Sequence, residues 1–383
     1  MIKIKEEINN YLIKKNWNSH KEGKTVFYYK DRNPFEIKEN EFLSYSKRKK
    51  PMSLQNFINK TEEYFNEKNF SRKVLNSIIN DKKDTIFIVA GIQYFSDIIF
   101  GKQEGDGIKY FVPQPVIRTK YRDYVGEGSI SSFVNLSTMQ SPTSPENHLS
   151  HIDDWMNYLS KLGLNIKDFV LRLNESNGED WAGHWSKTHG NILFFDYGGL
   201  EIGDAGYLQI ENKPPITDIG FGLERILWAV NKERFSDLIG PIPFSFEEDY
   251  SIMDSIRTTT LISLSGLGRK DKEALSQFKI YMTKIKNKRD FNIYEIVKHY
   301  YNFWNKFVNP LKKFDETFSL IQNEFNRQKN LDLVQKLGFQ KTPKTLQKYL
   351  SSGVDIFIHK LIEENLSNLK DIRKIIYSTT TPK

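Results

Sequence analysis

The sequence contains no cysteine, which excludes disulfides, thiol nucleophiles and cysteine–zinc sites. It also lacks an apolar run long enough to span a bilayer, and an N-terminal apolar segment of the signal-peptide type. From these absences we predict a cytoplasmic protein with no membrane partner.

The 383 residues are 38% hydrophobic and 14% aromatic, enough for two or three domains with substantial cores. Residues 84–89 have the pattern of a buried strand, short β-rich runs continue to about residue 235, and 146–162 has helical spacing. From about residue 250 the pattern is helical. We predict an α+β fold. Its predicted divisions are an N-terminal extension and linker (1–55), a β-rich domain (56–240) and an α-helical domain (241–383).

Charge is distributed unevenly along the chain. Residues 1–50 have a net charge of +6, residues 51–260 of −9 and residues 261–383 of +11. An acidic middle segment between basic flanks indicates that these parts of the chain have different functions. A polyanion would bind most readily to the basic C-terminal part. A Lys-rich solvated surface is the alternative explanation.

The most informative stretch is TDIGFGLERILW, residues 217–228. Gly220 and Gly222 allow a close approach between backbone and ligand, because neither has a Cβ. Arg225 follows at the start of an apolar helix, with a planar set of donors suited to phosphate. The alternative is a loop that enters a buried helix and carries one partly exposed Arg.

This stretch resembles motif 3 of the class II aminoacyl-tRNA synthetases, and its sequence is most similar to that of the alanyl-tRNA synthetases. Other segments resemble the same family in the same order, over roughly residues 57–300. They are IVAGIQYFSDIIFG (88–101), QPVIRTKYRDYVGEG (114–128), DWAG (180–183), GGLEIGDAGYLQ (198–209) and MDSIRTTTLISLSGLG (253–268). The resemblance implies an antiparallel sheet flanked by helices, followed by an α-helical acceptor-binding domain.

The resemblance also implies an ATP-dependent aminoacyl ligase that forms an aminoacyl-adenylate from an alanine-like amino acid. Arg118 would bind the ATP α-phosphate and Arg225 the γ-phosphate, while Mg²⁺ would share the phosphate charge. Asn135 stands where the family usually has Glu, and its amide can still hydrogen-bond an adenine edge. Gly220 and Gly222 complete the ATP-binding set.

The amino-acid pocket is assigned through the same resemblance. Asp218 would pair with the substrate α-ammonium, and Trp181 would close one wall; a turn or helix-cap Asp and a core Trp are the alternatives. Asp204 stands where many alanyl enzymes have Asn. If its carboxylate faces the pocket, the site carries an additional negative charge that suits an amine-bearing substrate. The alternative is that the side chain faces away from the pocket.

Other departures bear on the acceptor. The Arg-rich helix of the family is reduced here to SQFKIYMTKIKNK (276–288), and the zinc-type HxxxH motif of the editing domain is absent. We predict no metal-ligand cluster, and we expect His148 and His151 to be surface residues.

Three functions therefore stay open. tRNA is the preferred acceptor. The second possibility is a tRNA-independent ligase that passes the aminoacyl group to a carrier protein or small amine. The third is a non-catalytic regulator that binds RNA or an amino acid.

Overall fold

The computed structural model describes residues 2–80, 85–126, 128–176, 188–210, 213–235, 238, 248–285, 292–364 and 366–380. The chain forms two compact units, residues 1–245 and 246–383. The first unit contains a mixed β-sheet with helices, and the described part of the second is helical. The predicted α+β fold is confirmed.

The sheet of the first unit has nine strands in the order β1-β2-β6-β7-β8-β9-β5-β4-β3. All neighbouring strands are antiparallel except β3 and β4, which are parallel. The strands are β1 (Asn18–Glu22), β2 (Thr25–Tyr29), β3 (Ser71–Arg72), β4 (Lys109–Ile117), β5 (Ser132–Gln140), β6 (Phe169–Ser176), β7 (Thr188–Tyr197), β8 (Leu200–Ile210) and β9 (Ile216–Gly222).

Residues 1–55, which the sequence pattern sets apart as an extension, contribute strands to this sheet. β2 pairs antiparallel with β6, with Val26 opposite Leu173 and Tyr29 opposite Val170. The alternation that marks a half-buried strand is weak in β1, whose five residues are all exposed. These N-terminal strands are therefore joined to the sheet by the pairing of β2 with β6, which lies far along the chain.

One face of the sheet is covered by α2 and α4. In α4 the Trp155 indole donates a hydrogen bond to Thr138 Oγ1 (2.8 Å) and stacks on Phe221 with ring centroids 4.3 Å apart. The predicted helix over 146–162 is confirmed within one residue at each end. The helices of this unit are α1 (Ile2–Lys14), α2 (Leu54–Glu67), α3 (Ser96–Ile99), α4 (Pro145–Lys161) and α5 (Leu223–Asn231).

The opposite face of the sheet is covered by the segment 91–99. Side chains alternate between the faces along each strand, so Val112, Met139 and Ile216 share this second face. They pack with Ile92 and Phe95 in one apolar cluster. Within this segment, residues 91–95 form a 3-10 turn and residues 96–99 form the single turn α3.

The predicted strand over 84–89 is wrong within the described residues. Only an isolated bridge between Ile79 and Phe87 occurs there. Ile88 is buried and its amide bonds to Ile78. The apolar residues of this segment therefore indicate burial rather than a strand. Too few of them pair with a neighbouring segment to form a β-ladder.

The second unit is built around α6, in which a continuous run of side chains is buried. Its Arg257 is 2% exposed and lies over the rings of Phe303 (4.3 Å) and Trp304 (4.5 Å). The helices are α6 (Glu248–Leu264), α7 (Lys272–Ile285), α8 (Ile293–Trp304), α9 (Phe314–Lys336), α10 (Val354–Glu363) and α11 (Leu369–Thr380). Among the described residues of the whole chain, none of the helices combines the length and the apolar character that crossing a membrane requires.

Candidate active site

Most of the residues predicted for the site line one cavity of about 70 Å³ on the second face of the sheet. Two of them are not in that lining. Asp218 lies deeper in β9, and Trp181 falls outside the described residues. Those that line the cavity are Arg118, Asn135, Asp204, Gly220, Gly222 and Arg225. Residues more than 100 positions apart therefore meet here, at strands β4, β5, β8 and β9.

Arg118 directly follows β4 and is held from two sides. Its Nε donates to the carbonyl oxygen of Val89 (3.0 Å), and its guanidinium lies over the Phe133 ring, 5.1 Å from the centroid. Neither contact neutralises its charge. Within the described ranges no carboxylate forms an ion pair with Arg118, so the charge remains for an anion in the cavity.

Arg225 lies in the first turn of α5 and is held by two backbone oxygens. Its Nε donates to Gly128 O (2.9 Å) and its Nη1 to Glu201 O (2.7 Å). Burial lowers the pKa of Arg225, and the nearby charge of Arg118 lowers it further. Two cations at one cavity, one of them desolvated and at a helix N-terminus, form a site suited to a phosphate chain.

The floor between the arginines is formed by β5 and β9. Ser137 Oγ donates to Asn135 Oδ1 (2.7 Å), which orients the Asn135 amide so that its NH₂ group serves as the donor. A Cβ at Gly220 would lie 2.9 Å from Asn135 Oδ1, whereas one at Gly222 would make ordinary contacts. Of these two glycines, Gly220 is therefore the one that the packing of this floor requires.

Glu224 fixes the start of α5 against the sheet. It is 5% exposed, and its Oε2 accepts a hydrogen bond from the backbone amide of Val134 (3.2 Å). This contact ties the helix that carries Arg225 to the strand that carries Asn135. Arg225 and Asn135 are thus positioned relative to each other by one hydrogen-bonded junction.

Two carboxylates lie side by side on the same face. In the register of β8 and β9, Asp204 is opposite Gly220 and Gly206 is opposite Asp218, which makes Asp204 and Asp218 diagonal neighbours. Burial raises the pKa of Asp204 to about 7. Burial, and then the charge of Asp204, raise the pKa of Asp218 well above its ordinary value. Ionisation of both carboxyl groups is therefore unfavourable unless a cation binds beside them.

A second cavity of about 570 Å³ adjoins the first. The two share Tyr121, Gly128, Ser129, Glu201 and Arg225 in their linings. Its outer wall is formed by residues of β2 and of the segment 34–40.

Sequence reasoning missed the charged cluster in this second cavity. Arg172 donates to Asp196 Oδ1 (3.0 Å) and to Glu201 Oε2 (2.8 Å), and its guanidinium lies 4.8 Å from the Phe194 ring centroid. The available signal was one Arg inside the apolar strand VLRL and one Asp inside LFFD. Isolated charges on neighbouring strands can meet only when the register places them together.

The prediction that His148 and His151 are surface residues is wrong. Both are fully buried on the face of α4 that packs on the sheet, and His148 Nδ1 is hydrogen-bonded to Thr217 Oγ1 (2.6 Å). They lie on the same helical face as Ile152, Trp155 and Leu159, which packs on the sheet. Burial lowers the pKa of each imidazole to about 3, so both rings are neutral.

No group of three or more His, Asp or Glu side chains in the described part of the chain is placed to hold a metal ion. Comparison of the chain with models of known protein families and with curated proteins finds no match in either.

Proposed function

We propose that this protein activates a small amino acid, alanine or a related one, with ATP. The product is an aminoacyl-adenylate, whose acyl group is then transferred to an acceptor. One observation carries the proposal: within the described residues, one cavity is lined by two arginines without carboxylate partners and by Asp204, and the buried Asp218, which has no cation partner, lies beside Asp204 on the neighbouring strand. ATP and the amino-acid ammonium supply the charges that each pair lacks. The resemblance to class II synthetases supports the same assignment.

In the proposed reaction the amino-acid carboxylate attacks the α-phosphorus of ATP, and pyrophosphate leaves. Arg118 would stabilise the α-phosphate, and Arg225 the leaving phosphates, through charge-assisted hydrogen bonds. Asp218 would hold the α-ammonium, and Asn135 an edge of the adenine. The protein contributes positions and charges rather than a covalent intermediate.

Mg²⁺ would neutralise phosphate charge in this site. Glu201 fits as its ligand, because its carboxylate lines both cavities and only Oε2 is engaged, by Arg172. No residue within the described ranges donates to its Oε1. Mg²⁺ is commonly bound by one or two carboxylates together with substrate phosphates.

tRNA is the first candidate acceptor, supported by the net charge of +11 over residues 261–383. A carrier protein or small amine is the second candidate. One observation favours it: Arg257, the single arginine of α6, is buried against aromatic rings, so it is not available to a phosphate backbone.

Amino-acid-dependent ATP–pyrophosphate exchange tests the activation step. We expect Arg118→Ala and Arg225→Ala each to lower kcat/KM by roughly 100- to 1000-fold, as for loss of a positioned charge donor. Arg122→Ala is the matched control, because Arg122 lies in the same segment as Arg118 but lines neither cavity. Full activity in both cavity variants would contradict the assignment.

A further inference from the structure

If one amino-acid ammonium binds at Asp218, the neighbouring carboxylate of Asp204 is left without a cation partner. Asp218 is 6% exposed, and its Oδ1 is buried with no hydrogen-bond partner among the described residues. Asp204 lines the cavity beside it, on the neighbouring strand. In the described part of the chain, neither carboxylate forms an ion pair with Lys, Arg or His. Carboxylates in such a position either take up protons or gain a cation, so the site favours a ligand that carries positive charge.

The nearest protein cation does not resolve this imbalance. Arg118 acts on both carboxylates at a distance, but it makes no ion pair with either within the described ranges. In the proposed reaction its charge is taken by the α-phosphate. The α-ammonium of a substrate then balances Asp218 and leaves Asp204 unpaired.

We propose that Asp204 binds a second ammonium group, carried on a short side chain of the substrate. The preferred substrate class is then a short diamino acid, such as 2,3-diaminopropionate or 2,4-diaminobutyrate. Diagonal neighbours on one face of a sheet have Cα atoms ~7–8 Å apart, which matches two ammonium groups a few bonds apart and disfavours the long chain of lysine. This inference rests on the proposed function and names the substrate of that same site.

The test is ATP–pyrophosphate exchange by the full chain with matched substrates. 2-Aminobutyrate is nearly isosteric with 2,3-diaminopropionate but lacks the second amine. We expect kcat/KM to be at least tenfold higher for the better of the two diamino acids than for 2-aminobutyrate, and we expect lysine to be poor. In Asp204→Asn this selectivity ratio should fall at least tenfold, since an amide cannot balance the second ammonium.

Each outcome decides the inference separately from the proposed function. Exchange with alanine or 2-aminobutyrate, but with no diamino acid above them, overturns the inference and leaves adenylate formation standing. An unchanged ratio in a folded Asp204→Asn protein also overturns it. If no amino acid supports exchange, the proposed function fails. Calorimetric titration then tests the ammonium site independently of catalysis. Tighter binding of 2,3-diaminopropionate than of 2-aminobutyrate supports the inference, and equal binding overturns it.

Discussion

The desolvated carboxylate of the half-buried Asp204 predicts a specific pH dependence of folding stability. Its pKa is raised from an ordinary value of 3.8 to about 7. Between these values the folded chain binds more protons than the unfolded chain, so this group makes stability fall as pH rises from about 4 to 7. At 1.36 kcal/mol per pH unit, the total loss is on the order of 4 kcal/mol. Below pH 4 it vanishes.

Asp204→Asn removes this loss. We expect its free energy of unfolding, relative to wild type, to increase by about 4 kcal/mol between pH 4 and pH 8. Burying the amide costs about 1 kcal/mol at every pH. This cost lowers the stability of the variant relative to wild type by the same amount at each pH and does not change the pH dependence. Loss of repulsion on Asp218 acts in the same direction.

Urea unfolding at several pH values, followed by circular dichroism, measures this difference. Glu63→Gln is the control, because Glu63 is exposed in the middle of α2. Its difference from wild type should stay flat. A flat difference for Asp204→Asn as well, or one that decreases towards pH 8, would refute the assignment of a desolvated carboxylate at this position.

Three further predictions follow from the site and its surroundings. Asp218→Asn should weaken amino-acid binding by roughly 30-fold or more in calorimetry and leave ATP binding nearly unchanged, because losing a buried charge partner costs ~2–5 kcal/mol; equal losses would exclude it as the ammonium site. In filter binding, the full chain should lose at least ~10-fold in tRNA affinity between 50 and 200 mM salt, and absence of binding at low salt would favour the carrier or small-amine acceptor. His151→Leu should gain stability over wild type as pH falls from about 6.5 to 4, by roughly 3 kcal/mol, because the unfolded imidazole binds protons that the buried one does not; the same urea titration checks this, and a constant difference would contradict it.

Local patterns in the sequence predict the elements that rely on local signals. The spacing of apolar residues predicts α4, and in the structure the side chain of Ser144 caps its start by accepting a hydrogen bond from the Asn147 amide. The failures concern tertiary partners. His148 and His151 look polar in isolation, but they occupy the apolar face that meets the sheet.

The candidate site divides in the same way. The resemblance to class II synthetases predicts Arg118, Asp204 and Arg225 as site residues, and the structure places all three at one cavity. The contribution of β2 to the second cavity depends on pairing with β6, over 100 positions away, and the Arg172 cluster depends on the register of β6 and β7. No local periodicity encodes such pairing, so only the folded chain reveals it.

An isotope measurement tests attack on the α-phosphate most directly. The full chain is incubated with ATP, Mg²⁺ and amino acids of the proposed class labelled with ¹⁸O in the carboxylate, and hydroxylamine traps the acyl group. If the carboxylate oxygen attacks the α-phosphorus and hydroxylamine then attacks the acyl carbon, the C–O bond breaks and AMP retains one ¹⁸O atom. We predict ¹⁸O-labelled AMP and an equal amount of amino-acid hydroxamate. Label in orthophosphate, or unlabelled AMP, would contradict adenylate formation.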